Sequence, residues 1–281
     1  MNRLPLAKQV AVVAALVEGN SIRSTARMTD VSKPTILKLL AELGAACATY
    51  HDERVRNLSI KNLECDEIWA FVGAKSKNAT PEQKADGWGD IWTWTAIDAD
   101  TKLIASYLVG PRIASAAREF MWDVAGRITG RPQVTTDGLN FYPDAIEWAF
   151  GSNVDYAILE KHYRPTGERG VTRYSPGTLQ SVTKEVIRGL PNRRRICTSF
   201  VERQNLSMRM SMRRFTRLTN GFSKKVDNHA HAVALYFLHY NFARVHKTLR
   251  VTPAMASGLA DHVWSIEEIV GLLNRRGALA A

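Results

Sequence analysis

Apolar residues recur at helical spacing along the first 45 positions. Val10, Val13 and Val17 fall at i, i+3 and i+7, one face of a helix that Gly19 and Asn20 would end. Ser21 is a suitable N-cap for a second short helix running to about Met28, with Ile22 and Ala26 four apart. After a turn at Thr29–Asp30–Val31, Ser32 caps a third helix whose first turn contains Pro34, where a missing N–H is harmless. Ile36, Leu39, Leu40 and Leu43 form its apolar stripe. Residues 46–60 show little apolar periodicity and read as a linker.

From Leu63 the period changes. Leu63–Val72, Asp90–Asp98 and Leu103–Gly110 are rich in aromatic and β-branched residues and read as strands, the last two joined as a hairpin through Asp98–Ala99–Asp100. A polar loop, Lys75–Gly89, separates the first two. A helix from about Ser115 to Arg127, a strand Gln133–Thr136, a helix Tyr142–Phe150 and a strand Val154–Leu159 follow. Strands first and then alternating helix and strand predict an α/β fold with a mixed sheet and flanking helices. Residues 161–196 have no sustained period and read as an insertion or loop within a core spanning 61–220. Helices are expected again over Ser199–Leu218, Lys224–Arg244, Pro253–Ala260 and Ile266–Leu273, so 221–281 forms a C-terminal helical region.

Three short helices in this order predict a small all-α helix-turn-helix domain over residues 1–45. In such a unit the N-terminal end of the third helix enters a DNA groove, which makes Ser32, Lys33, Thr35 and Lys38 candidate contacts. A plain three-helix bundle would carry the same stripes, and that alternative stays open. Charge bears on the choice: 38 Lys+Arg against 27 Asp+Glu give a formal +11, which favours a polyanionic partner. The longest early apolar run, Val10–Val17, is far short of the roughly 20 residues of a membrane span, and nothing resembles a cleaved leader. The chain therefore reads as cytoplasmic with no membrane partner. Cys47, Cys65 and Cys197 are scattered, so neither a disulfide framework nor a zinc site is expected.

Three acids stand in places that invite chemistry. Asp66 lies inside the first strand in the acidic run Glu64-Cys65-Asp66-Glu67, Asp137 ends a short strand before Gly138, and Glu202 opens a helix that is otherwise basic. Strand ends of open α/β sheets face the ligand crevice. If the three converge, their hard oxygens suit two Mg²⁺ or Mn²⁺ ions, the arrangement used for phosphodiester chemistry. Each also has a plain reading, as an edge-strand acid, a turn residue and a helix-dipole partner. Glu64, Glu67, Asp98 and Asp144 rank lower, Glu67 because strand alternation turns it to the face opposite Asp66.

Those residues sit within Cys65-Asp66-Glu67-Ile68-Trp69, Thr135-Thr136-Asp137-Gly138, the stretch from Ser199 to Asn220 around Glu202, and the stretch from Asn241 to Met255 that includes Arg244-Val245-His246-Lys247. Together they resemble the DDE transposases of bacterial insertion sequences, nearest the insertion-sequence-one (IS-one) type. The resemblance implies a ribonuclease H-like core, Asp66, Asp137 and Glu202 as catalytic residues holding two divalent ions, and cutting and joining of DNA at transposon ends. It also implies terminal-repeat and target DNA as partners, with a homodimer or higher synaptic complex holding two ends together.

The basic residues fit a DNA partner. Arg209, Arg213 and Arg217 fall at four-residue steps on the helix expected after Glu202 and would form a row along a phosphate backbone, beside Arg203. A solvated surface face is the plainer reading of that row. Arg193, Arg194 and Arg195 are a phosphate clamp or a basic loop, and His246 with Lys247 is a further contact candidate. Two rivals to a transposase remain at this level: a helix-turn-helix regulator whose α/β part serves another purpose, and a nuclease of the same core that cuts without joining.

Overall fold

A computed structural model describes residues 4–164, 177–216 and 219–279, the last five of them as backbone only. Three helices open the chain: α1 (Leu6–Val17), α2 (Ile22–Thr29) and α3 (Lys33–Arg54). The Ser21 and Ser32 hydroxyls accept the N–H groups of Ser24 and Thr35 and so cap α2 and α3. Asp30 makes the turn between them in the left-handed region, at φ 53°, a conformation that a short polar side chain tolerates without glycine.

Helix α3 does not stop near residue 45. It runs on to Arg54, so residues 46–54 are helical, contrary to the expected linker. Its second half buries Ala46, Cys47, Tyr50 and His51. Two small residues, one aromatic and a histidine make that inner face, a composition that a scan for large aliphatic residues passes over. His51 meets the Ile104 carbonyl at 3.1 Å, and burial followed by the neighbouring Arg127 charge lowers its pKa to about 4, so it packs there neutral.

The strands β1 (Asn62–Val72), β2 (Gly89–Asp98), β3 (Ile104–Gly110), β4 (Gln133–Thr136), β5 (Asp155–Arg164) and β6 (Thr178–Arg188) form one six-stranded mixed sheet in the order β3-β2-β1-β4-β5-β6. β1 is antiparallel to β2 and parallel to β4, and β4 is parallel to β5. A short α4 (Pro81–Ala85) lies in the polar connection before β2. Helices α5 (Ala114–Arg127) and α6 (Tyr142–Phe150) cover one face of the sheet, and α7 (Ser199–Ser211) and α8 (Val226–Phe242) the other, followed by α9 (Pro253–Ala256) and α10 (Ile266–Leu279).

Side-chain alternation along β1 serves both faces. Leu63 and Cys65 join Phe120, Met121 and Ile146 under α5 and α6, whereas Ile68, Ala70 and Val72 join Val201, Met208 and Phe237 under α7 and α8. Each fully buried aliphatic or aromatic side chain contributes roughly 1.5–3 kcal/mol, so the central strand is firmly seated. Helices α3 and α8 touch so closely that a Cβ on Gly44 would lie 2.5 Å from the Cβ of His231. The three N-terminal helices are thus packed onto the body through α3.

Two further expectations change. Residues 161–164 and 178–188 belong to the antiparallel pair β5 and β6 and not to an aperiodic loop; β6 is exposed almost throughout, so no buried face imposes a period on its sequence. The helix expected over Ser199–Leu218 ends at Ser211. Met212 is extended, and a single 3-10 turn, Arg213–Phe215, drops Met212 and Phe215 into the core beneath β1. No helix among the described residues is long and apolar enough to cross a membrane.

Candidate functional site

Asp66 and Asp137 become neighbours through strand register. Cys65 pairs with Thr136 across the parallel β1–β4 ladder, so the next position on each chain, Asp66 and Asp137, stands side by side where β4 ends and β1 continues. The Asp66 carboxylate is fixed at both oxygens: Oδ1 accepts the Glu67 N–H and Oδ2 accepts Nδ2 of Asn205 on α7, each at 2.8 Å. Asp137 Oδ1 accepts the Leu139 N–H at 3.0 Å, which shapes the turn after β4. In that turn Gly138 lies against the flexible end of the Glu160 side chain.

Glu67 belongs to the same group, which corrects its lower ranking. Its side chain leaves β1 on the α6 side, as alternation requires, but β4 has ended there and the carboxyl reaches the rim. One oxygen each from Asp66, Glu67 and Asp137 lie within 4.8 Å of one another, a spacing at which they could hold a metal ion. Arg112 stands over this group, with Nε 3.1 Å from Glu67 Oε2 and Nη2 4.0 Å from Asp137 Oδ2.

The electrostatics of this group favour the protonated acids or a cation in their place. Burial, then the Asp137 charge, pushes Asp66 up to about 7. Burial pushes Glu67 up to about 7 as well, with the Tyr142 hydroxyl beside it and Arg112 opposing and Asp137 and Asp66 adding to it. Hard carboxylate oxygens held this close together fit a divalent ion such as Mg²⁺ or Mn²⁺.

Glu202 approaches from α7 on the same side of the sheet as Asp66. It lines, with Asp66, Asp137, Arg112, Thr198 and Lys161, an open cavity of about 640 Å³, and its charge contributes to the raised pKa of Asp66. It is outside the close group of three, however. Thr198 Oγ1 donates to its Oε1 at 2.7 Å, and Lys161 Nζ donates to both of its oxygens at 2.5 Å. What holds α7 there is Glu64, whose Oε2 accepts the N–H groups of Phe200 and Val201 at 2.8 and 3.0 Å. A buried carboxylate thereby caps α7 from β1 and complements its dipole; burial pushes Glu64 up to about 7, against the pull of these bonds.

The candidate DNA contacts occupy separate places. Ser32, Lys33, Thr35 and Lys38 are exposed at the N-terminal end of α3; the Ser32 and Thr35 hydroxyls bond each other at 2.8 Å, and Lys38 pairs loosely with Glu42 at 3.9 Å. Arg193 and Arg194 are exposed in the approach to α7, whereas Arg195 bonds Asp100. Arg203 is exposed on α7. The single guanidinium row is not formed as expected: Arg209 is on α7, Arg213 is beyond the helix break in the 3-10 turn, and Arg217 lies outside the described residues. His246 bonds Thr248, and its pKa is lowered by burial and by Lys102 nearby, while Lys247 is exposed.

Several residues of the cavity carried no weight in the sequence. Asn205 had a signal, since it follows Glu202 by three positions and so shares its helix face. Arg112 and Lys161 had none, because each arrives through the fold alone.

No protein-family model matches the chain, and no curated protein matches it. Among solved structures, one it is similar to is the piggyBac transposase, described as a synaptic complex with hairpin DNA, at a TM-score of 0.40 and 12% identity, over 98% of this chain and 72% of that one.

Proposed function

We propose that the protein is a transposase, an enzyme that cuts and joins DNA strands on a ribonuclease H-like core, of the DDE kind and nearest the IS-one type. The observation that carries this reading is the meeting of Asp66, Asp137 and Glu202, far apart in the chain, around one open cavity whose inner acids are short of positive charge. Asp66 and Asp137, with Glu202 and Glu67 on either side, would hold two Mg²⁺ or Mn²⁺ ions. Bound there, such ions supply Lewis-acid stabilisation and lower the pKa of an attacking water or 3′-hydroxyl.

The chain's own groups do the positioning. Asn205 keeps the Asp66 carboxylate from rotating, Thr198 orients Glu202, and Arg112 offsets part of the negative charge that a phosphodiester would meet on entering. The exposed end of α3, at Ser32, Lys33, Thr35 and Lys38, is the reader of element ends in a helix-turn-helix arrangement, and Arg193, Arg194, Arg203, Arg209, Arg213 and Lys247 offer phosphate contacts. With a formal charge of +11, DNA is the partner of choice. Joining two ends calls for a homodimer or larger synaptic assembly.

The test is cleavage and strand transfer on labelled supercoiled DNA carrying candidate element ends, with Mg²⁺, with Mn²⁺ and with EDTA. Metal-dependent cutting and joining that Asp66→Asn, Asp137→Asn and Glu202→Gln each reduce by at least about 100-fold, with DNA binding retained, is the expected outcome. Cutting without joining would make the protein a nuclease, and binding without any metal-dependent cutting would make it a regulator.

A further inference from the structure

The ion pair between Lys161 and Glu202 has a second use, and its argument rests on the reading of the cavity as a metal-dependent phosphodiester site. Lys161 is placed by the sheet. Thr136 pairs with Ile158 across the parallel β4–β5 ladder, so Asp137 stands level with Leu159, and Lys161 projects two residues further along on the same face. Asp66, Asp137 and Lys161 therefore share one side of the sheet, the side on which α7 presents Glu202. The ammonium sits 2.5 Å from both carboxylate oxygens of Glu202, so a cation that used either oxygen would have to displace it.

The side chains are 24% and 43% exposed, and they meet at the mouth of the cavity rather than in the core. An ion pair this open contributes little to stability, so holding the fold together is a weak reason for a lysine here. Lysine is nevertheless suited to moving. It is a compact point charge on a flexible stem with three donors, free to turn from a carboxylate to a phosphate oxygen without the fixed fork that an arginine would bring.

We propose that Lys161 is a substrate-contacting residue parked on Glu202: it holds the carboxylate until a divalent cation takes it, and then turns its ammonium to a non-bridging oxygen of the bound phosphodiester. Metal and DNA are thereby coupled. DNA gives Lys161 a new partner and frees Glu202 for the metal, and metal in turn frees Lys161 for DNA, so each raises the affinity for the other by the same factor.

The experiment measures Mn²⁺ binding to the full chain from the free-ion magnetic resonance signal, with and without a duplex oligonucleotide. It compares the wild type with Lys161→Met, which keeps the apolar stem, and Lys161→Gln as a second variant, with folding followed by circular dichroism. Without DNA both variants should bind Mn²⁺ more tightly than the wild type by about tenfold, within the usual range of coupling. DNA should tighten Mn²⁺ binding in the wild type and do so much less in the variants, while DNA affinity at saturating Mn²⁺ falls in the variants. Equal or weaker Mn²⁺ binding by the folded variants, or undiminished coupling, overturns the role of Lys161. A wild type that binds no Mn²⁺ at all overturns the metal reading beneath it, an outcome distinct from the first.

Discussion

Asp66→Asn should stabilise the metal-free protein while removing the DNA cleavage proposed for it. In the folded chain the Asp66 carboxyl is shifted from 3.8 to about 7, chiefly by burial and then by Asp137. Because the folded value lies above the unfolded one, the stability it brings is fully present below about pH 4 and is lost as pH rises toward 7. The shift of about 3 units corresponds to roughly 4 kcal/mol at pH 8, taking about 1.4 kcal/mol per unit. An amide cannot ionise and escapes that loss. It can keep the bond from the Glu67 N–H, and the Asn205 amide has only to turn over to receive it, since Asn205 Oδ1 is buried without a partner. A net gain of about 2–4 kcal/mol raises the melting temperature by roughly 3–7 °C in a chain of this size. Thermal melts followed by circular dichroism in EDTA at pH 8 and pH 5 measure it, with the gap shrinking by more than half at pH 5. A variant that melts at or below the wild type at pH 8 would refute the claim that these acids are held short of positive charge.

Other consequences follow from the same geometry. Mg²⁺ should raise the melting temperature of the wild type, more at pH 8 than at pH 5, because Asp66 and Glu67 must lose their protons to bind it; equal shifts at the two pH values, or an undiminished shift in Asp137→Asn, would count against the site. Glu64→Ala leaves the Phe200 and Val201 N–H groups without their acceptor and should destabilise by about 1–3 kcal/mol in urea unfolding at pH 5, where the Glu64 carboxyl is protonated and its removal relieves no buried charge, and by less at pH 8; it should also lower the proposed DNA cleavage because α7 carries Glu202. Gly44→Val places carbon against the His231 backbone and should destabilise by at least about 1–3 kcal/mol in the same urea assay by separating α3 from α8. Unchanged stability would mean that the two helices do not pack as described.

The parts of the fold that could be read in the chain are those marked by a local cap or by a dense run of strand-forming residues. The N-caps Ser21 and Ser32 and the strands β1 to β4 follow from local capping and from runs of β-branched and aromatic residues. The end of α3 does not, because its inner face is built from Ala46, Cys47, Tyr50 and a neutral His51. Nor does β6, whose residues are exposed on both sides and obey no period. For the site, Asp66 and Asp137 were legible as strand-middle and strand-end acids. Glu67 was set aside by a sound alternation rule that fails to count what happens where the neighbouring strand stops. Arg112, Lys161 and the trans cap from Glu64 depend on sheet order and helix docking, which no local pattern encodes.

Asp66, Asp137 and Glu202 are proposed to surround one divalent-metal centre. Fe²⁺ with ascorbate and peroxide, which cleaves a polypeptide beside bound iron, tests it directly on the intact chain. Cleavage near residues 66, 137 and 202, suppressed by excess Mg²⁺ and abolished in Asp66→Asn, is the result expected. Cleavage elsewhere, or cleavage at these places that neither Mg²⁺ nor the substitution affects, would contradict it.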